Sequence, residues 1–184
     1  MNYTKGQILK VLATKNYTIY TEDLNLIGIR LDMTYSNKFD DTFCVFNNDV
    51  FHLFDCTTDP GMYWTQEFMN PDGTAVLKPG QYIDSHQIGL HQGSYKALVQ
   101  AIPITVYRDN NKDNIIDYIN PQTGVFGINI HRANPQWKSV QVDKWSAGCT
   151  VIADPKEFDI LMNLAEKSKQ KRFTYTLIEH KDFG

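Results

Sequence analysis

The apolar positions of this chain fall mostly into short runs bounded by Gly, Pro, Asn and Asp, which is the pattern of strands and turns. Residues 17–32 are rich in Tyr, Thr, Ile and Leu and read as one or two strands. Residues 42–55 read as a hairpin. Phe43, Val45 and Phe46 lie on one arm, Val50, Phe51, Leu53 and Phe54 on the other, and Asn47-Asn48 makes the turn. Asp59-Pro60-Gly61, Asn70-Pro71-Asp72-Gly73 and Lys78-Pro79-Gly80 then break the chain three times, so this stretch is expected to be loop or short paired strands. Residues 95–100 are a further short strand. In 104–108, Ile104, Val106 and Arg108 alternate with Thr105 and Tyr107, and Pro103 suits a strand start. Residues 124–131 read as one strand, with Ile128 and Ile130 on one face and Asn129 and His131 on the other. Phe173 opens a closing strand.

Helical spacing occurs twice. In 4–16, Thr4 and Gln7 match a capping box, and Ile8, Val11 and Leu12 share a face. After Asp154 as cap, Pro155 as first helical residue and Glu157 as box partner, Phe158, Leu161, Met162 and Ala165 form an apolar stripe, followed by Lys167, Lys169, Lys171 and Arg172. The expected class is therefore mainly β with two helices (α+β).

Composition narrows the function. The 184 residues carry 18 Lys plus Arg against 21 Asp plus Glu, a net charge of −3 without a basic block, which argues against nucleic acid as a partner. No run approaches the length of a membrane span, and Lys5 and Lys10 interrupt any signal-peptide core at the N-terminus. Cys44, Cys56 and Cys149 are too few for a disulfide framework. A tight turn at Asn47-Asn48 pairs 44 with 51 rather than 56, so both residues read as small apolar groups in half-buried strands.

Three clusters carry candidate chemistry. His131 precedes Ser146-Ala147-Gly148-Cys149 by a spacing that a loop can close. A Cys nucleophile needs a neutral imidazole as base, and Gly148 lets backbone N–H groups approach a developing oxyanion. His86 and His91 lack a further Cys or acid at ligand spacing, so no metal is expected there, and His91 is a candidate neighbour of the Cys149 site. Asp109, Asn111 and Asp113 occupy the first, third and fifth places of a calcium loop, but Asn114 stands where such a loop has Gly, and Asn120 where it has Glu. A polar turn fits the same residues.

The order of Lys78-Pro79-Gly80-Gln81-Tyr82, then Ile130-His131, then Ser146-Ala147-Gly148-Cys149 resembles the L,D-transpeptidase catalytic domain (the YkuD-like family) of peptidoglycan cross-linking enzymes, over residues 79–152. The resemblance implies a β-sandwich or barrel-like catalytic domain over 59–184, with 1–58 as an extension of helix and strands packed on it. It implies Cys149 as nucleophile, His131 as base, and a carbonyl at Arg132 orienting the imidazole. Ser146 and Gly148 would shape the oxyanion loop, and Tyr82, His91 and Trp145 would meet substrate. The implied partner is a peptidoglycan stem peptide, in the periplasm or cell wall and without a cofactor. Ala147 replaces the family's usual His, and Thr150-Val151-Ile152 lacks its Arg. Transfer to an amine would cross-link, and transfer to water would make the protein a hydrolase of phage or prophage type. The altered loop also fits a wall-binding module without activity.

Overall fold

A computed structural model describes residues 2–31, 37–113 and 115–184. Eleven strands are formed among them: β1 Asn25–Arg30, β2 Asp41–Phe46, β3 Phe51–Thr57, β4 Thr74–Leu77, β5 Gly80–His91, β6 Tyr95–Gln100, β7 Ile104–Asp109, β8 Gln122–Gly124, β9 Ile130–Arg132, β10 Thr150–Ile152 and β11 Phe173–Glu179. Eight close into a barrel in the order β1-β11-β5-β6-β9-β10-β3-β2, and β4-β7-β8 form a separate small sheet. The helices are α1 Lys5–Thr14, α2 Met62–Gln66 and α3 Pro155–Lys167, with a 3-10 turn at His180–Phe183. The mainly β, α+β class is as expected. The expected pair of helices becomes three, because α2 forms inside the stretch that its Pro and Gly breakers marked as loop.

Alternation sorts the barrel's side chains. On β1 and β2, Leu26, Phe43 and Val45 join the main core with Tyr175 and Leu177 of β11. The opposite faces, through Ile27, Ile29, Cys44 and Phe46, pack on Ile8, Val11 and Leu12 of α1. Full burial of residues such as Ile8 and Leu12 is worth about 1.5–3 kcal/mol each, which fixes α1 against the barrel wall. Its start is the expected capping box of Thr4 and Gln7. Cys44 and Cys56 lie in different clusters, and all three cysteines are free thiols.

Several expected local features differ. The hairpin turns through four residues rather than two, pairing Phe46 with Phe51 and Cys44 with Leu53. The Asn47 side chain accepts the N–H groups of Asp49 and Val50, which caps the longer loop. Only 25–30 of the expected 17–32 region is strand, and residue 32 lies outside the described residues. His86 and His91 belong to the twelve-residue strand β5, which the sequence did not mark. The single strand expected over 124–131 is split. β8 ends at Gly124 in the small sheet, and β9 begins at Ile130 in the barrel. Asp154 caps α3 by accepting the Lys156 N–H, but Glu157 does not complete a box, and its Oε2 has no partner among the described residues.

The two expected segments meet in one barrel. β1, β2 and β3 come from residues 1–58, and the remaining five staves come from 59–184. Inside the barrel, Gly28 of β1 makes room for the Tyr175 hydroxyl, which lies 2.2 Å from where a Cβ would be. That hydroxyl bonds the Thr150 hydroxyl at 2.7 Å, next to Cys149.

Candidate active site

β9 and β10 are parallel neighbours, with Thr150 beside Ile130 and Val151 beside His131. Ile130 and Ile152 point into the main core. Alternation therefore turns His131 to the other side, along with Asn129 and Cys149 just before the two strands. Sequence distance is removed by strand pairing. The Thr150 N–H donates to the Asn129 carbonyl at 3.0 Å, which brings the start of β10 against the start of β9.

The Cys149 thiol donates to the Gly127 carbonyl at 3.3 Å and accepts the Asn129 N–H at 3.4 Å. The residue is half-buried, and packing around the sulfur pushes its pKa up to about 11 against the help of the Asn129 N–H. His131 is 3% exposed. Its Nδ1–H donates to the Arg132 carbonyl at 2.8 Å, with the Tyr95 hydroxyl 3.3 Å away. A carbonyl only accepts, so the proton sits on Nδ1 and Nε2 carries the free lone pair. Burial, then the neighbouring His91, push His131 down to about 3. His91, the last residue of β5, stacks on His131 with ring centroids 3.9 Å apart, and its Nδ1 meets the Asn129 carboxamide nitrogen at 3.1 Å. Burial and Arg132 lower its pKa as well.

A cavity of about 320 Å³ joins these groups. Cys149, His131, His91, Trp145 and Lys144 are among the residues that line it. The loop before Cys149 is held by Ser146, which is fully buried. Its hydroxyl donates to the Cys149 carbonyl at 2.8 Å and accepts the Gly148 N–H at 3.2 Å. Gly148 has φ +116, and a Cβ there would lie 2.2 Å from the Ala75 carbonyl oxygen, so only glycine fits. The N–H groups of Ala147 and Cys149 make no hydrogen bond among the described residues. With the Gly148 and Thr150 N–H groups engaged, they are the free backbone donors nearest the sulfur in sequence.

No family model and no curated protein matches this chain.

Of the residues singled out from sequence, Cys149, His131, His91 and Trp145 line one cavity. Arg132 contributes its carbonyl, while its guanidinium lies over the Tyr95 ring at 4.1 Å. Ser146 and Gly148 shape the loop from behind it. Tyr82 is not among the cavity's residues. Its hydroxyl donates to the carbonyl of Lys78, with that of Thr105 also in reach, where β5 meets the small sheet. His86 is fully buried, bonded to the Ile128 carbonyl and the Ser85 hydroxyl, and its pKa falls to about 4 through burial.

Sequence reasoning missed Asn129, Tyr95 and Gln100. The Gln100 side chain accepts the N–H groups of Phe126 and Ile128 and donates to the Ile102 and Gly124 carbonyls, so one amide replaces the strand ladder over 125–128. The break at Gly124 and Gly127 was the only signal for it.

Among the described residues no three His, Cys, Asp or Glu side chains are placed to share a metal ion. In the suggested calcium loop, Asn111 accepts the Asp113 N–H and donates to Asp117 at 2.8 Å, a self-bonded polar turn, and Asn114 lies outside the described residues. Among the described residues no helix is long and apolar enough to cross a membrane.

Proposed function

We propose that the protein is a cysteine acyltransferase acting on peptidoglycan stem peptides, in the manner of an L,D-transpeptidase, in the periplasm or cell wall. The observation that carries the chemistry is one cavity lined by both Cys149 and His131, with the imidazole fixed in the tautomer of a base by the Arg132 carbonyl. The substrate class rests on the order of motifs at Lys78–Tyr82, His131 and Ser146–Cys149.

Thiol and imidazole are both neutral at rest. A large gap between their pKa values makes a preformed ion pair costly, so the thiol turns from the Gly127 carbonyl and its proton passes to His131 Nε2 as the sulfur bonds to the peptide carbonyl carbon. The carbonyl oxygen takes the negative charge and is met by backbone N–H groups of 147 and 149. Collapse breaks the C–N bond, the leaving amine takes the proton from His131, and a thioester stays on Cys149. An incoming amine then gives a cross-link and regenerates the thiol, and water gives hydrolysis.

The test is incubation with muropeptides followed by mass spectrometry. A thioester on Cys149, with cross-linked or shortened products that vanish in Cys149→Ala, is expected. Unchanged muropeptides, bound equally by wild type and Cys149→Ala, would replace the enzyme by a binding module.

A further inference from the structure

A second cavity, of about 360 Å³, adjoins the Cys149 cleft, and the two share Trp64, Met69, Phe126 and Ala147. Arg108 lines the second cavity although the residue is only 4% exposed. Its place on β7 follows from alternation with Thr105 and Tyr107, which sends it with Ile104 and Val106 to the buried face of the small sheet. The guanidinium lies over the Phe126 ring at 4.7 Å. Its Nε donates to Gln122 Oε1 at 2.9 Å and its Nη1 to the Gly73 carbonyl at 3.2 Å. Nη2 has no hydrogen-bond partner, and no carboxylate forms an ion pair with Arg108, among the described residues. The acid that acts on it, Asp72, is held by Gln122 Nε2 at 2.8 Å, so Gln122 bridges the acid and the guanidinium.

A buried cation without an ion-pair partner is expensive, and its unused N–H groups open into a cavity. We propose that Arg108 receives the free carboxylate of the peptide attacked by Cys149. The Nη1 and Nη2 end offers the paired donors that suit a carboxylate. Asp72 nearby favours a singly charged group over a dianionic phosphate. Phe126, Trp64 and Met69 supply apolar wall for the carbon skeleton between carboxylate and scissile carbonyl. Ala147 is the small residue of the shared wall. The peptide identity of the ligand rests on the proposed chemistry at Cys149. The carboxylate preference does not.

The test uses the whole chain as Cys149→Ala, which cannot turn over, and an N-acetylated dipeptide, as free acid and as carboxamide. Calorimetry is expected to show the acid binding about tenfold or more tightly than the amide, the worth of one charge-assisted hydrogen bond. Arg108→Gln is expected to erase the difference, Arg108→Lys to restore part of it, and 0.5 M salt to shrink it. Ala147→Phe leaves Arg108 and its partners in place and is expected to weaken both peptides, with melting unchanged. This covers the case in which Arg108→Gln does not fold. Equal binding of acid and amide, binding of neither, or a preference that survives Arg108→Gln overturns the proposal. A preference in a protein whose wild type proves inert sinks only the acyltransferase reading, whereas turnover without any preference sinks only the Arg108 site.

Discussion

Cys149 and His131 are neutral across the physiological range, since packing moves the thiol up to about 11 and the imidazole down to about 3. The acid limb of kcat/KM is therefore expected near pH 3 rather than near the ordinary histidine value, with a flat profile from pH 5 to 8. A limb at pH 6–7 would show that His131 titrates as an exposed imidazole. The same neutrality makes Cys149 slow towards iodoacetamide at pH 7, with a rate still climbing above pH 9, because the thiolate is the reactive form. His131→Gln keeps a hydrogen-bonding side chain and is expected to lower kcat/KM by about 10²–10⁴, the range of general-base catalysis. The pair itself was legible in the sequence, since a Cys preceded by Ser-Ala-Gly and a His at a strand end are local patterns. Asn129 and Tyr95 were not. One acts through a backbone N–H and a carboxamide, the other through a hydroxyl delivered from the neighbouring strand, and both depend on a pairing register that no local pattern encodes.

The Cys149 loop stands on two features with no redundancy. Ser146→Ala removes the buried hydroxyl that both donates to the Cys149 carbonyl and accepts the Gly148 N–H. A loss of about 1–3 kcal/mol of stability is expected from the two orphaned groups, measured by urea denaturation, together with a fall in kcat. Gly148→Ala combines a left-handed φ with a collision against the Ala75 carbonyl, so at least about 2 kcal/mol is expected. On the facing side, the Gln100 amide substitutes for a missing ladder. Helices α1 and α3 were readable because cap and stripe lie within one turn of each other. β5 was not, because its polar residues and Gly89 mimic a loop. The strand holds through pairing with β6 and β11 on either side, and Gly89 leaves room for the Val99 side chain.

Over the molecule as a whole, Asp109 is a buried acid whose charge works against the fold. Asp109 is fully buried, and among the described residues neither carboxylate oxygen meets a donor at bonding geometry. Burial, then the charge of Asp117, raise its pKa to about 6, partly opposed by nearby backbone N–H groups. An acid whose folded pKa exceeds the unfolded one destabilises the fold when ionised. The cost is complete above about pH 6 and fades as pH falls towards 4. Asp109→Asn is expected to raise stability at pH 7 by about 2 kcal/mol and to change it little at pH 4, read from paired thermal melts. A stabilisation of equal size at both pH values would assign the effect to something other than charge. The barrel's closure was the part least visible in the sequence, since composition and periodicity report strands one at a time and a ring depends on which distant strands pair. That ring has a consequence for cutting the chain. Severed after residue 58, the larger piece would carry two raw margins, along β11 and along β10, the latter continuing straight from Cys149. Such margins glue copies together, so the piece made alone is destined for insoluble deposits. Made in the same cell, the two halves should find each other, and the return of soluble, Cys149-dependent product would report their reunion.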